Sequence, residues 1–241
     1  MNLPSVQTLY KVTDKTWPAA EELLVGPWKV RRGEGGGQRV SATTAEKQWA
    51  EDDIEVAENA MLGLEQPKLF MIRESEHDLD LALERRGYRI KDPVNLYAAP
   101  ISEIDVSPPD LLTAIETWPP LAAQRDVWKS GGIGPERVNV MVRADTPKTT
   151  ILGRASDRAA GTGYIAIHSH IAMFHALETA AEFRRQGLGR NMVKGMARWA
   201  RSQNAKWLSL IVTQANDPAN AMYSTMGFRR IGQYHYRIKD E

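Results

Sequence analysis

The chain has 241 residues, 31 of them lysine or arginine and 30 aspartate or glutamate, and no cysteine. That length allows one large domain or two small ones. A net charge of +1 gives no pull toward nucleic acid or an anionic membrane, and without cysteine there are no disulfides, thiol nucleophiles or thiolate metal sites, which fits a reducing cytoplasm. The start, Met1-Asn2-Leu3-Pro4, lacks the basic and apolar runs of a signal peptide. No stretch approaches the roughly 20 apolar residues of a membrane span. The 5 histidines form no HExxH pattern, so no metal is expected.

In chain order, a helix interrupted by Pro18 is predicted to about Leu24. Then comes a hairpin, with Trp28 to Arg31 and Arg39 to Ala42 alternating around the Gly33 to Gly37 turn. From Ala45 to Leu64, Trp49, Ile54, Ala57, Met61 and Leu64 recur mostly at helical spacing. A strand at Lys68 to Arg73, a helix at Leu79 to Arg86 stopped by Gly87, and a strand at Val94 to Ala98 complete this half. Pro100, Pro108 and Pro109 mark a boundary. Helices are expected at Asp110 to Trp118, Leu121 to Lys129 and Pro135 to Arg143, and strands at Thr150 to Arg154, Gly163 to His168 and Ile171 to about Ala181. A helix from Gly187 to Gln203 carries Leu188, Met192, Met196 and Ala200 on one face. A strand (Trp207 to Thr213), a short helix (Pro218 to Met226) and a final strand (Arg230 to Ile238) end the chain. The order reads as α/β with a mixed sheet. Leu69 to Ile72, a helix and Gly87-Tyr88 echo Leu208 to Ile211, a helix and Gly227-Phe228, as two copies of one fold would.

The sharpest signal is Arg184-Arg185-Gln186-Gly187-Leu188-Gly189-Arg190, between a strand and an amphipathic helix. Glycines let the backbone approach a ligand closely. The first helical turn leaves N–H groups unpaired, and with the helix dipole these suit a pyrophosphate; the arginines add charge. A dinucleotide fingerprint would need a third glycine in register, and a Walker loop Gly-Lys-Ser/Thr. Both are lacking, so a coenzyme A-like phosphate fits better.

Downstream, Asn216-Asp217-Pro218-Ala219-Asn220-Ala221-Met222-Tyr223-Ser224-Thr225-Met226-Gly227-Phe228 resembles the pattern NxxAxxhYxxxGF of the GNAT acyltransferases, and RxxGxG precedes it at the expected separation. The resemblance covers about 135 residues. It implies the GNAT fold, a mixed and mostly antiparallel sheet, for a catalytic domain at 105–241, preceded by a smaller α/β domain at 1–104. It further implies that the turn Arg184, Arg185, Gln186, Gly187, Leu188, Gly189 and Arg190 cradles the pyrophosphate of acetyl-CoA. By the same resemblance the strand Leu177-Glu178-Thr179 pairs with pantetheine, Asn216 touches the coenzyme arm and Tyr223 faces the sulfur.

The chemistry then sets requirements. A primary amine with a pKa near 10.4 is disfavoured as free base at neutral pH by about 4–5 kcal/mol, so a proton must leave before attack. The oxyanion can be met by an N–H of the 177–179 strand. The expelled thiolate can take a proton from Tyr223, or that tyrosine can be a packing residue. His175 resembles the histidine of arylalkylamine N-acetyltransferases in its His-Ala-Leu context, and imidazole suits a base at neutral pH; core or surface placement is the other reading. Glu178 is a further candidate. His168 and His170 alternate on one strand and share a face, as a relay or as solvent-facing residues. Gln233 to Arg237 resembles a strand that lines the acceptor pocket, though aromatic alternation suits any strand.

The first half lacks RxxGxG, and its echo places Leu83 where Tyr223 stands, so a degenerate GNAT-like domain is expected. Trp17, Trp28 and Trp49 are expected in the core. The expected function is a cytoplasmic N-acetyltransferase that uses acetyl-CoA, an amine acceptor and no metal, with neither nucleic acid nor membrane as partner. The alternatives are a non-catalytic acyl-CoA sensor and a protein-interaction module on the same fold.

Overall fold

The structure, a computed structural model, describes residues 2–107 and 113–239. In chain order its helices and strands are α1 (Val6–Thr16), β1 (Glu21–Val25), β2 (Trp28–Arg32), α2 (Gln38–Ser41), β3 (Thr44–Ala45), α3 (Asp53–Gly63), β4 (Lys68–Arg73), α4 (His77–Arg85) and β5 (Arg89–Pro100). The second half continues with β6 (Ala114–Thr117), α5 (Ala122–Ser130), α6 (Pro135–Arg143), β7 (Lys148–Ala155), β8 (Arg158–His168), β9 (Ile171–Thr179), α7 (Leu188–Ser202), β10 (Trp207–Thr213), α8 (Asp217–Thr225) and β11 (Arg229–Lys239). Two compact units form from interleaved stretches. The first takes Met1–Pro18, Leu96–Ile211 and Asp217–Ile231; the second takes Ala19–Asn95, Val212–Asn216 and Gly232–Glu241.

In the first unit the strands lie in the order β10-β9-β8-β7-β6. The pairs β6/β7, β7/β8 and β8/β9 are antiparallel and β9/β10 is parallel, the mixed, mostly antiparallel sheet expected of this α/β fold. Helix α7 presents Leu188, Met192, Met196 and Ala200, all buried, to that sheet. It can lie so close because glycines face it. A Cβ on Gly153 or Gly161 would come within 2.6 Å of Met192, and one on Gly163 within 2.3 Å of Met196 Cε. The methionines occupy the volume these three residues leave open. Helix α1, capped by the Ser5 hydroxyl, which accepts from the Thr8 amide at 3.2 Å, belongs to this unit and buries Leu9, Val12, Thr13 and Thr16.

The second unit has a three-stranded sheet, β1-β2-β3, and the antiparallel pair β4/β11. Its core gathers Trp28, Ile54, Met61, Phe70, Leu79 and Leu83, with Trp49 partly buried against them. Trp17 is buried in the first unit.

The elements at Pro135–Arg143 and Trp207–Thr213 have the bounds the pattern predicts. Four expectations are corrected. The first helix ends at Thr16, and 21–25 is a strand. The partner of Trp28–Arg32 is β1, through the tight Gly26-Pro27 connection, with Leu23 opposite Val30. The 38–41 stretch, expected as the second strand of the hairpin, is instead a helical turn with Gly37 at its start. Helix α3 begins at Asp53, eight residues later than expected. Ala114–Thr117 is an edge strand paired with β7, not helix; Asp110 to Leu112, the start of that expected helix, lie outside the described residues. No helix among the described residues is long and apolar enough to cross a membrane.

The echo between the halves extends to hydrogen bonds. The Tyr88 amide donates to the Leu83 carbonyl at 3.0 Å and the Phe228 amide to the Tyr223 carbonyl at 3.1 Å. Gly87 and Gly227 both take left-handed φ, 83° and 88°.

Four phenols are pushed above the ordinary tyrosine value by burial: Tyr164 and Tyr223 in the first unit, and Tyr88 and Tyr236 in the second, where Tyr88 also donates to Glu58. A folded-state pKa above the unfolded one means that the native state holds its proton more tightly. This stability is fully present below about pH 10 and is lost as pH rises beyond it. Urea unfolding followed from about pH 8 to about pH 11 is therefore expected to show a falling free energy only above the unfolded phenol value.

Candidate active site

The site is built where β9 stops behaving as a regular strand. Between Tyr164↔His175 and Thr162↔Glu178, β8 advances two residues while β9 advances three. The extra residue makes a bulge, and Ala176 takes a left-handed φ of 52° there. An L-residue in that region is strained. The indole N–H of Trp128 on α5 donates to the Ala176 carbonyl at 2.8 Å, which holds the bulge open. On the other edge the parallel ladder to β10 runs from Trp207↔Ile171 to Leu210↔Phe174 and ends there, although β9 continues to Thr179. The strand's backbone from the bulge to Thr179 thus lies beyond its ladder with β10.

Next to this stretch the chain turns into α7. Gly187 caps the helix with φ 83° and no side-chain hydrogen bond. The first amide bonded within the helix is that of Asn191, which donates to the Gly187 carbonyl at 3.1 Å. The amides of Leu188, Gly189 and Arg190 precede it and form the helix mouth. Leu188 buries its side chain and offers only its amide. A Cβ on Gly187 would meet nothing within 4 Å, and one on Gly189 would sit 3.6 Å from Met222 Sδ and 3.9 Å from Thr179 Oγ1. The mouth is therefore bordered by Thr179 and α8.

The three arginines of the turn differ. Arg184 reaches back, donating through Nε to the Thr179 carbonyl and pairing with Glu178, both at 3.0 Å. Arg190 donates to Thr225 Oγ1 at 2.8 Å, which itself donates to the Met222 carbonyl. Arg185, in a left-handed φ of 65°, is exposed. Gln186 donates to the Glu182 carbonyl at 3.0 Å.

Tyr223 projects from α8 into an aromatic cluster, with ring centroids 5.7 Å from Phe174, 5.8 Å from Phe228 and 6.4 Å from Tyr97. Burial raises its phenol well above the ordinary value. His175, the next residue after Phe174, has different neighbours, as strand alternation requires. Its ring lies 4.9 Å from Trp17 and 6.0 Å from Tyr164, and its Nε2 is 2.9 Å from Thr16 Oγ1. The Tyr164 phenol oxygen is buried with no partner among the described residues. Glu178 lines a cleft of about 530 Å³ with Asp126, Gly131, Arg158 and Arg184.

Asn216 belongs to the second unit, in the turn after β10, with its amide donating to the Thr213 carbonyl at 3.1 Å. His168 ends β8, but His170 occupies the turn with φ 63°, so the two do not share a strand face; the turn takes the residue that the alternation assigned to the strand. His235 and Arg237 on β11 are held by Asp80 at 2.8 and 2.6 Å. Sequence reasoning missed Trp128, Thr16 and Tyr97, whose hydroxyl donates to Asn220 at 3.1 Å. Each acts across a long sequence separation and carries no local motif.

Residues 114–228, which hold the bulged strand and the glycine-opened helix, match the acetyltransferase (GNAT) family. This segment is a GNAT domain and the protein an acyltransferase. The chain is 23% identical over 98% of its length to the whole of the uncharacterized N-acetyltransferase YobR of Bacillus subtilis (strain 168). Its fold is similar to a GCN5-related N-acetyltransferase from Kribbella flavida, with a TM-score of 0.70 at 14% identity over 99% of this chain and 97% of that one. It is also similar to a tandem GNAT protein from the clavulanic acid biosynthesis pathway, with a TM-score of 0.60 at 9% identity over 82% and 74% of the two chains.

The two mouth glycines carry different demands. Gly187→Ala places a Cβ on a left-handed residue and is expected to cost about 1–2 kcal/mol. Gly189→Ala meets only ordinary contacts and adds helix propensity, so it is expected to be neutral or stabilising by up to about 1 kcal/mol. Urea denaturation of the two variants, read side by side, checks the opposite signs.

Proposed function

We propose that the protein is a cytoplasmic N-acetyltransferase in which acetyl-CoA supplies an activated acyl group and an amine attacks it directly, with Tyr223 as general acid. The observation that carries this reading is the end of the β9/β10 ladder at Leu210↔Phe174 next to the helix mouth at Gly187. An extended pantetheine arm needs backbone donors and acceptors along one edge, and β9 from Leu177 to Thr179 is suited to supply them. A diphosphate needs amides that point one way, and those of Leu188, Gly189 and Arg190 do. Arg185 and Arg190 add positive charge beside them, while Arg184 serves the strand end through Thr179 and Glu178. Asn216 is assigned to the coenzyme arm by the family pattern alone.

Tyr223 suits the acid role because burial keeps its phenol protonated. An ordinary thiol has a pKa near 8.5 and an ordinary phenol near 10, so transfer to a solvated thiolate would be uphill. A thiolate expelled into the same dry surroundings loses its hydration, becomes more basic and gains a hydrogen bond from the phenol. On the amine side, Glu178 is occupied by Arg184 and the Thr179 amide, which leaves His175 as the better candidate to take the ammonium proton, with Glu178 second. The acceptor is an amine of a small molecule or protein.

A thiol-release assay with acetyl-CoA against a broad amine panel tests the reading. Gly189→Glu is expected to abolish coenzyme binding by placing a carboxylate in the helix mouth, with folding retained because the added Cβ has room. Tyr223→Phe is expected to lower kcat about 10–100-fold, with the KM for acetyl-CoA nearly unchanged. With the phenol pKa raised, kcat should show no alkaline fall from loss of that proton below about pH 10. Tight coenzyme A binding without turnover on any amine would indicate a sensor, and no acyl-CoA binding by calorimetry would indicate an interaction module.

A further inference from the structure

We infer that the cleft between α5 and β9 takes the acceptor, that this acceptor is an amine carrying a second cationic group, and that Arg184 masks the site in the free protein and leaves it when the helix mouth holds a diphosphate. The inference deepens the proposed function and rests on its reading of the mouth as the coenzyme site. It starts from charge. The carboxylates of Asp126, Glu178 and Glu182 and the guanidinium groups of Arg158 and Arg184 line the cleft of about 530 Å³, a volume suited to a small ligand. Arg158 stands 3.8 Å from Glu182 and over the Phe183 ring at 5.6 Å. Arg184 stands 3.0 Å from Glu178. Asp126 forms no ion pair among the described residues. The cleft therefore lacks one positive charge as it stands and a second once Arg184 leaves it.

Of this pair, Glu178 is seated and Arg184 is free to move. The Glu178 side chain is 18% exposed. Its Oε1 accepts from the Thr179 amide at 3.2 Å, and a Cβ on Gly131 would lie 2.8 Å from its Oε2, so the strand and the end of α5 both hold it. The Arg184 side chain is 59% exposed, and an ion pair with so open a partner contributes little. Its Nε donates to the Thr179 carbonyl at 3.0 Å. Thr179 also borders the helix mouth, where a Cβ on Gly189 would sit 3.9 Å from its Oγ1. The guanidinium thus links the cleft to the rim of the mouth. Its planar fork matches phosphate oxygens as well as a carboxylate, and a diphosphate offers it more charge than Glu178 does. With Arg184 turned to the mouth, Glu178 and Asp126 both lack a cation, and a ligand with two positive centres answers both. Ala123, Val127 and Ala180 line the cleft for the carbon chain between those centres. Glu178 lies on the stretch read as the pantetheine edge, so the ammonium that it holds is the one acetylated. Arg184 is a positioning residue, since it needs to touch neither the acyl group nor the amine.

Calorimetry with coenzyme A, which has no acyl group to transfer, and with 1,4-diaminobutane and 1-aminobutane as probes tests this without turnover. Coenzyme A is expected to tighten 1,4-diaminobutane about tenfold or more, and 1-aminobutane by less. Arg184→Gln is expected to bind 1,4-diaminobutane about tenfold tighter than the unaltered protein when no coenzyme is present, and to gain nothing further when coenzyme A is added. Asp126→Asn is expected to bring the two amines within about twofold of each other in the presence of coenzyme A. If coenzyme A does not bind, the reading of the mouth fails and the masking role falls with it. If coenzyme A binds but leaves the affinity for 1,4-diaminobutane within about twofold, the inference alone is overturned, and this result on the unaltered protein stands even if Arg184→Gln does not fold. Equal gains for the two amines overturn the second cationic group, and an Arg184→Gln protein that binds 1,4-diaminobutane no better than the unaltered one overturns the masking.

Discussion

One hydrogen bond sets the shape of the site: the Trp128 indole donating to the Ala176 carbonyl at 2.8 Å. A carbonyl turned out of the ladder in mid-strand needs a donor, because an unpaired buried backbone group costs as much as a lost hydrogen bond. With the indole in place, Ala176 can hold its left-handed φ, and β9 re-registers against β8 by one residue. The strand after the bulge can then leave its parallel neighbour. Gly131, one turn past Trp128, completes the fit. A Cβ there would lie 2.6 Å from Glu178 Cγ, so the end of α5 lies flush against the strand it bends.

The electrostatics of the helix mouth follow from how the arginines are spent. Had all three faced the mouth, like charges would crowd it in the free protein. Arg184 instead neutralises Glu178 and closes the strand end, and Arg190 is steadied by Thr225. Exposed Arg185 adds to the mouth without a desolvation penalty. The amides of Leu188, Gly189 and Arg190 are meanwhile fixed in direction by the helix.

How much of this was legible in the sequence depended on whether the signal was local. The helix mouth was readable because glycines, arginines and an amphipathic run lie within one turn of chain. The Pro135–Arg143 helix was readable because proline suits the first helical position and the apolar residues repeat at 3.6. The partner of Trp28–Arg32 was not, because glycine density at 33–37 suggested a turn without choosing which strand pairs; the β1 register chose instead. The 114–117 strand has no alternation that four residues could display, and pairing with β7 overrides helix propensity. His170 failed similarly, since a two-residue turn looks like continued strand until the backbone reverses. Within the site, Thr16, Trp17 and Trp128 were invisible as site residues because each meets a partner that only the tertiary fold brings near.

The echo between β4-α4-β5 and β10-α8-β11 separates scaffold from chemistry. Both segments close their helix with a left-handed glycine and the same backbone hydrogen bond to an aromatic residue. At the residue whose carbonyl accepts that bond, one segment has Leu83, fully buried in the core of the second unit, and the other has Tyr223, set among Phe174, Phe228 and Tyr97. Identical local geometry therefore does not imply a shared role, because a leucine there can only pack. What distinguishes the Tyr223 segment is a single hydroxyl held in apolar surroundings beside a strand that has left its neighbour. The backbone supplies the position, and the side chain supplies the hydroxyl, whose pKa burial raises.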